Sequence, residues 1–184
     1  NLRGHLGIKF GDFKLSTSLG ADILNENNTT KYNRNNGNAA GSGRLTKEYQ
    51  RTRSYTWNQL LSYKHVFGEH TVDVMAGHEF YNIESHYLMG QRTGFPFDDF
   101  TELGMGSTLA DATSTGETYS INSWLCRANY NLADKYYLSA SLRTDGSSRF
   151  IKKNRWGTFW SLGASWRVSQ EPFMQGIDWL DNMT

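Results

Sequence analysis

Between Tyr119 and Phe173 the chain alternates apolar and polar residues in steps of two. Trp124, Cys126, Ala128, Tyr130 and Leu132 interleave with Ser123, Arg127, Asn129 and Asn131. After a tight turn, Tyr136, Leu138, Ala140 and Leu142 interleave with Tyr137, Ser139, Ser141 and Arg143. After a longer loop, Trp160, Leu162, Ala164, Trp166 and Val168 interleave with Ser161, Gly163, Ser165 and Arg167. Successive side chains of a strand point to opposite faces, so each segment has one apolar and one hydrated face. Their lengths suit a tilted strand crossing a bilayer, which needs roughly 9–11 residues. The pattern predicts an all-β, antiparallel transmembrane β-barrel wall.

Four earlier segments fit the same scheme. The first runs from Leu2 to Phe10, with Gly4, Leu6 and Ile8 set against Arg3, His5 and Lys9. Gly11-Asp12 makes a tight turn into a second, where Phe13, Leu15, Thr17, Leu19, Ala21 and Ile23 share a face. A third carries Tyr55, Trp57, Leu61 and Tyr63 against Thr56, Asn58, Ser62 and Lys64. A turn at Phe67-Gly68-Glu69-His70 leads to a fourth, where Val72, Val74, Ala76, His78 and Phe80 oppose Asp73, Gly77 and Glu79. Two polar stretches, Asn25 to Arg53 and Ser85 to Glu117, read as long loops. The connections thus alternate short and long, as periplasmic turns and extracellular loops do in an outer-membrane barrel. Aromatics gather at both levels. Phe10, Phe13, Tyr63, Phe67, Tyr130, Tyr136 and Trp166 lie near the short turns. Tyr55, Trp57, Phe80, Tyr119, Trp124 and Trp160 lie towards the long loops, which predicts two interfacial girdles. At the tail, Ser169 and Glu171-Pro172 predict a short helix with Phe173, Ile177 and Leu180 on one face.

Composition narrows the classes. With 38% hydrophobic residues and no apolar run of about 18, the chain has no transmembrane helix pattern. The mean hydropathy of -0.64 is compatible with a barrel, half of whose strand residues are polar. Twenty-six aromatics (10 Tyr, 10 Phe, 6 Trp) and only 2 Pro favour strands. The net charge of +1 and scattered basic residues leave no nucleic-acid footprint. Cys126 is the single cysteine, so no internal disulfide forms, and it reads as a small apolar residue. The first residues show no signal-peptide pattern and open inside an alternating segment, and the last residues show no pattern of a closing element. The expectation is an internal piece of a larger polypeptide, with residues 1–184 forming part of one barrel domain.

Candidate chemistry is thin. His65, His70, His78 and His86 match no zinc spacing, and His78-Glu79 lacks the second His of a metalloprotease helix. Ser, His and Asp occur without a Gly-x-Ser-x-Gly elbow, and Asp145-Gly146-Ser147-Ser148 reads as an Asp-Gly turn at a strand top. Gly41-Ser42-Gly43 has no strand–loop–helix context for phosphate, and Asn28-Thr29-Thr30 reads as loop composition. No catalytic, metal or cofactor site is expected.

The run from Tyr136 to Phe150 (YYLSASLRTDGSSRF) resembles the late barrel of the SusC/RagA family. So do Arg155 to Arg167 (RWGTFWSLGASWR), Glu171-Pro172-Phe173-Met174 and Trp179-Leu180. These are TonB-dependent outer-membrane transporters of Bacteroidetes. The resemblance covers the last third of the chain. It departs at Trp160, where the family pattern has Pro, on the lipid-facing set. The resemblance implies a plugged barrel of the 22-stranded kind, of which seven strands are about a third. It implies energised import of a glycan or an oligopeptide, with TonB acting on a plug outside this stretch. It implies a SusD-like surface lipoprotein as partner, outer-membrane lipid around the wall, and a dimer of transporter–lipoprotein pairs among the arrangements allowed.

Within that picture Leu138, Leu142, Leu162, Ala164 and Val168 face lipid. Arg127, Arg143, Arg167, Asn129 and Ser141 face a hydrated lumen. The two long stretches are candidates for substrate or lipoprotein contact. Phe95, Phe97 and Phe100 beside Asp98 and Asp99 are candidates to stack on a sugar, or else pack the loop. Two other readings stay open. One is a soluble carbohydrate-binding β-sandwich, which buries the apolar set between two sheets. The other is a passive porin-like barrel.

Overall fold

The computed structural model describes residues 1–35 and 37–174. Seven strands form one sheet in chain order: β1 (Leu2–Phe10), β2 (Phe13–Tyr32), β3 (Arg44–Phe67), β4 (His70–Thr93), β5 (Thr108–Leu132), β6 (Tyr136–Ser147) and β7 (Trp156–Trp166). All seven are antiparallel, and none of the described residues pairs into a second sheet, as a sandwich requires.

The short turns form as the sequence predicts. Gly11 (φ 56°) and Gly68 (φ 61°) take the left-handed conformation that two-residue hairpins demand. In the β5–β6 turn that conformation falls instead on Ala133 (φ 53°) and Asp134 (φ 55°). The Asn131 side-chain amide donates to the Asp134 carboxylate beside it. Neighbouring turns and strand ends are tied together: Lys64 N donates to Asp12 O (3.0 Å), Ala133 N to Glu69 O (2.7 Å) and Arg167 N to Lys135 O (2.8 Å).

Four strands run well past the expected limits. β2, β3, β4 and β5 have 20, 24, 24 and 25 residues, so most of the polar stretches expected as loops is strand. The connections shrink to about residues 33–43 and 94–107. β6 and β7 keep 12 and 11 residues. Asp145 and Gly146 are not a turn; they pair with Gly157 and Trp156 inside the β6–β7 ladder. A glycine is needed at 146 because the Trp156 ring lies over it, 2.9 Å from where a Cβ would stand. β7 ends at Trp166, and Val168–Gln170 and Pro172–Met174 are 3-10 turns where a short helix was expected. Ile177, Trp179 and Leu180 lie outside the described residues.

The contacts divide into two compact units. Unit 1 holds Asn1, Ala21–Tyr55 and Asn82–Tyr119; unit 2 holds Leu2–Gly20, Thr56–Tyr81 and the chain from Ser120 on. Unit 1 has a small core of Leu45, Phe95 and Phe100, with Leu103 packed against it.

Candidate functional site

Unit 2 carries the two-faced wall. The register of β5, β6 and β7 aligns the apolar positions in rows: Cys126–Leu142–Trp160, Ala128–Ala140–Leu162, Tyr130–Leu138–Ala164 and Leu132–Tyr136–Trp166. The intervening rows are Arg127–Ser141–Ser161, Asn129–Ser139–Gly163 and Asn131–Tyr137–Ser165. A slip of one residue would mix the sets, so the pairing itself fixes the faces. The apolar face stays open: Leu162 is 75% and Trp160 72% exposed, with Leu138, Leu142 and Trp124 above half. A contiguous face of this kind needs a nonaqueous neighbour.

Two aromatic belts bound it. At the short-turn end ring follows ring, Phe10–Phe13 (5.5 Å), Phe13–Tyr63 (4.7 Å), Tyr63–His65 (6.2 Å), His65–Phe67 (5.8 Å), Phe67–His70 (5.3 Å) and His70–Tyr130 (5.9 Å). Tyr136, Trp166 and Phe173 continue the series at 6.3 and 6.5 Å. At the other end stand Trp57, Trp124 and Trp156 among polar groups. Trp57 Nε1 donates to Thr17 Oγ1 (3.0 Å), and the Trp124 ring lies 4.4 Å from His78. The two His78 nitrogens reach Gln59 Oε1 (3.1 Å) and Asn122 Oδ1 (2.9 Å). On β6 the belts are ten residue steps apart, from Tyr136 to Gly146 opposite Trp156. At about 3.3 Å per residue and a tilt near 40° that rise is ~25 Å, the height of a barrel's apolar band.

The opposite face is polar and internally paired. Arg143 Nε donates to Asp145 Oδ1 (2.8 Å) and its Nη2 lies 3.6 Å from Glu79 Oε2. Ser141 and Ser161 share a hydroxyl hydrogen bond (2.7 Å), and the Arg167 guanidinium sits 5.7 Å over the Tyr137 ring.

Unit 1 holds the two long connections. Phe95 and Phe100 stack at 3.9 Å and are 2% and 0% exposed, so these two candidates for sugar stacking form the loop core instead. Phe97 remains 49% exposed, with Asp98 and Asp99 exposed beside it. The two connections are locked together. Arg34 Nη1 donates to Pro96 O (2.7 Å), Phe95 N to Ser42 O (2.8 Å), and Lys47 Nζ to Glu102 Oε2 (2.7 Å). Asn35 Nδ2 reaches Asp98 Oδ2 (3.4 Å), and the Lys31 ammonium lies 4.5 Å over Phe100. On the strands below, Glu48 accepts from Tyr87 Oη (2.7 Å) and Asn28 Nδ2 (2.8 Å). The hydrogen bond from Tyr87 to Glu48, then burial, then the carboxylate's charge raise the Tyr87 pKa.

The four histidines the sequence raised lie apart in role. His65 pairs with Asp12 (2.7 Å), His70 with Tyr130 (2.6 Å), and His86 faces Glu84 (3.4 Å). Among the described residues no three His, Cys, Asp or Glu gather as a metal would require. The sequence pattern does not by itself single out His65 and His70 as members of the lower belt. The signal was their parity with Tyr63, Phe67 and Val72.

No protein-family model matches the chain. The TonB-dependent receptor SusC of Bacteroides thetaiotaomicron is 31% identical over 176 residues, 94% of this chain and 17% of that protein. The TonB-dependent receptor P39 of Formosa agariphila is 28% identical over 178 residues, 90% of this chain and 16% of that protein. The chain therefore spans about a sixth of the length of these relatives. A solved structure of the RagAB peptide transporter superposes with a TM-score of 0.87 at 24% identity, over 95% of this chain and 20% of that one. The RagAB peptide importer in its closed-closed state superposes equally, at 0.87 and 25% identity over the same shares.

Proposed function

The chain belongs to the SusC/RagA family of TonB-dependent receptors, and we propose that it forms part of the wall and rim of an outer-membrane importer. The whole protein takes up a large nutrient, a glycan or an oligopeptide, driven by TonB through a plug and working with a SusD-like surface lipoprotein. One observation carries this reading. The β5–β7 register keeps the apolar residues in rows between two aromatic belts ~25 Å apart. An importer wall needs a lipid-facing side and a hydrated side that can contact plug and cargo, and the two sets of rows supply them. A barrel piece by itself cannot transport, because open strand edges are not tolerated in lipid. The similarity to receptors and transporters argues against an enzyme.

The locked rim loops suit a preformed contact surface for lipoprotein or cargo. Exposed Phe97, Asp98 and Asp99 are the remaining candidates on it. The test is deletion of the full-length gene in its native host, followed by uptake of labelled oligosaccharides and oligopeptides. Loss of one class, reproduced by removing TonB, is expected. Uptake that survives TonB removal would return the protein to the porin-like reading.

A further inference from the structure

The connection between β6 and β7, residues 148–155, differs from the other long-side loops in where its strands stop. β2 to β5 continue for 20–25 residues, whereas β6 and β7 end after 12 and 11. The lipid-facing rows of β6 and β7 close at Gly146 opposite Trp156, at the upper aromatic belt. The connection therefore begins at the level where the apolar band ends. It is ordered by its own bonds: Ser148 N to Ser120 O (2.9 Å), Ser120 N to Ser148 Oγ (2.8 Å), Ser147 N to Arg155 O (3.1 Å) and Asn154 N to Ile151 O (2.9 Å).

Its composition is unlike the rest of the chain. Arg149, Lys152, Lys153 and Arg155 fall within seven residues, and no Asp or Glu occurs from Gly146 to Gln170. Phe150 and Ile151, between those cations, are 60% and 72% exposed. Lys152 and Lys153 are exposed on the single turn Lys152–Asn154, and Trp156 beside them is half exposed. Apolar tips next to lysines at an interfacial tryptophan match a surface that is greasy below and anionic above. We propose that residues 149–155 are a docking site for the phosphorylated headgroup of an outer-leaflet glycolipid. Phe150 and Ile151 enter the acyl boundary, and Lys152 and Lys153 meet the phosphates, with Arg155 behind them. Charge complementarity and continuity with the lipid-facing rows select this occupant over a protein partner.

The inference rests on the lipid-facing assignment of β5–β7. If that assignment fails, the wild-type receptor does not fractionate with outer membranes, which is seen before any ligand is added. The experiment uses the full-length receptor in detergent and native mass spectrometry with three probes: phosphorylated lipid A, dephosphorylated lipid A and inorganic phosphate. K152Q/K153Q is expected to weaken binding of phosphorylated lipid A about 30-fold, with thermal stability and import unchanged. Wild type is expected to bind dephosphorylated lipid A as weakly as the variant binds the phosphorylated form. F150S/I151S, which keeps the cations, is expected to weaken both lipids. Equal affinity of wild type and K152Q/K153Q would overturn the proposal. So would displacement of the lipid by excess inorganic phosphate, or a K152Q/K153Q variant that loses the co-purifying lipoprotein while binding lipid normally.

Discussion

Glu171 shows how one carboxylate secures the end of the wall. It accepts from Tyr136 Oη (2.6 Å) and Trp166 Nε1 (3.2 Å), and Lys135 Nζ lies 3.7 Å away. These donors, Tyr136 first, hold its pKa below the ordinary carboxylate value against the opposing effect of burial. A lowered folded-state pKa stabilises the fold above the unfolded value of roughly 4.3, and that contribution fades as pH falls through the folded value. Glu171→Gln is therefore expected to lower the Tm of the receptor in detergent at pH 7, and the difference from wild type should shrink below about pH 4. A difference independent of pH would mean that packing, not ionisation, matters there. Ala133 gives a second residue-scale expectation. Its φ of 53° is costly with a Cβ, so Ala133→Gly should raise stability by up to about 1 kcal/mol in urea titrations. Cys126 is exposed on the apolar face. In native membranes a lipid-soluble thiol reagent should modify it, and a charged one should not, as read by peptide mapping.

Single strands carry the next level of evidence. Leu162 and Ser161 are neighbours on β7 but belong to opposite rows, paired with Ala140 and Ser141. Leu162→Arg places a charge in lipid and should cost about 2–4 kcal/mol of barrel stability near the midplane. Ser161→Arg enters a hydrated face and should assemble normally. Equal tolerance in a heat-modifiability assay would overturn the assigned faces. The long ends of β2–β5 obey a different rule. They hold together through cross-strand side chains, such as Asn28 to Glu48 (2.8 Å), Tyr49 to Asn25 (3.1 Å), Thr52 with Ser85 (3.2 Å) and Gln91 to Thr46 (2.8 Å). With no apolar face to bury, they lack the period that reveals a strand. For that reason Asn25 to Arg53 reads as loop in the sequence and folds largely as ladder.

At the scale of the whole molecule, the two units are stabilised by different means. Unit 2 presents apolar rows to lipid, whereas unit 1 buries Leu45, Phe95 and Phe100 in a small core of its own. Phe100→Ala should cost about 3–5 kcal/mol locally. Because Phe100 lies in the 94–107 connection and Arg34 and Ser42 of the other connection bond to its neighbours, limited proteolysis should then cut near residues 33–43 and 94–107, with the membrane-spanning strands still protected. Cleavage spread through the spanning strands would show the two parts to be one cooperative unit. The intact mass of the native polypeptide, extracted from outer membranes, belongs at this scale too. A mass several times 21.0 kDa is expected for a receptor of which this chain is one portion.

The sequence alone determined the strands that cross lipid, their faces and their short turns. A bilayer imposes period two on every crossing strand, and hairpins demand residues such as Gly11 and Gly68. It also carried the family, through the run from Tyr136 to Arg167. Only the tertiary structure decided the rest. Phe95 and Phe100 pack as core because Lys31 at the end of β2, and Arg34 and Ser42 from the connection after it, come to enclose them. Asp145-Gly146 continues a strand because Trp156 pairs opposite it, overriding the local turn preference. His65 and His70 join a belt because the β1–β2 turn brings Asp12 to His65 and β5 brings Tyr130 against His70. Each depends on a partner outside the residue's own strand or connection, and local patterning holds no information about which partner arrives.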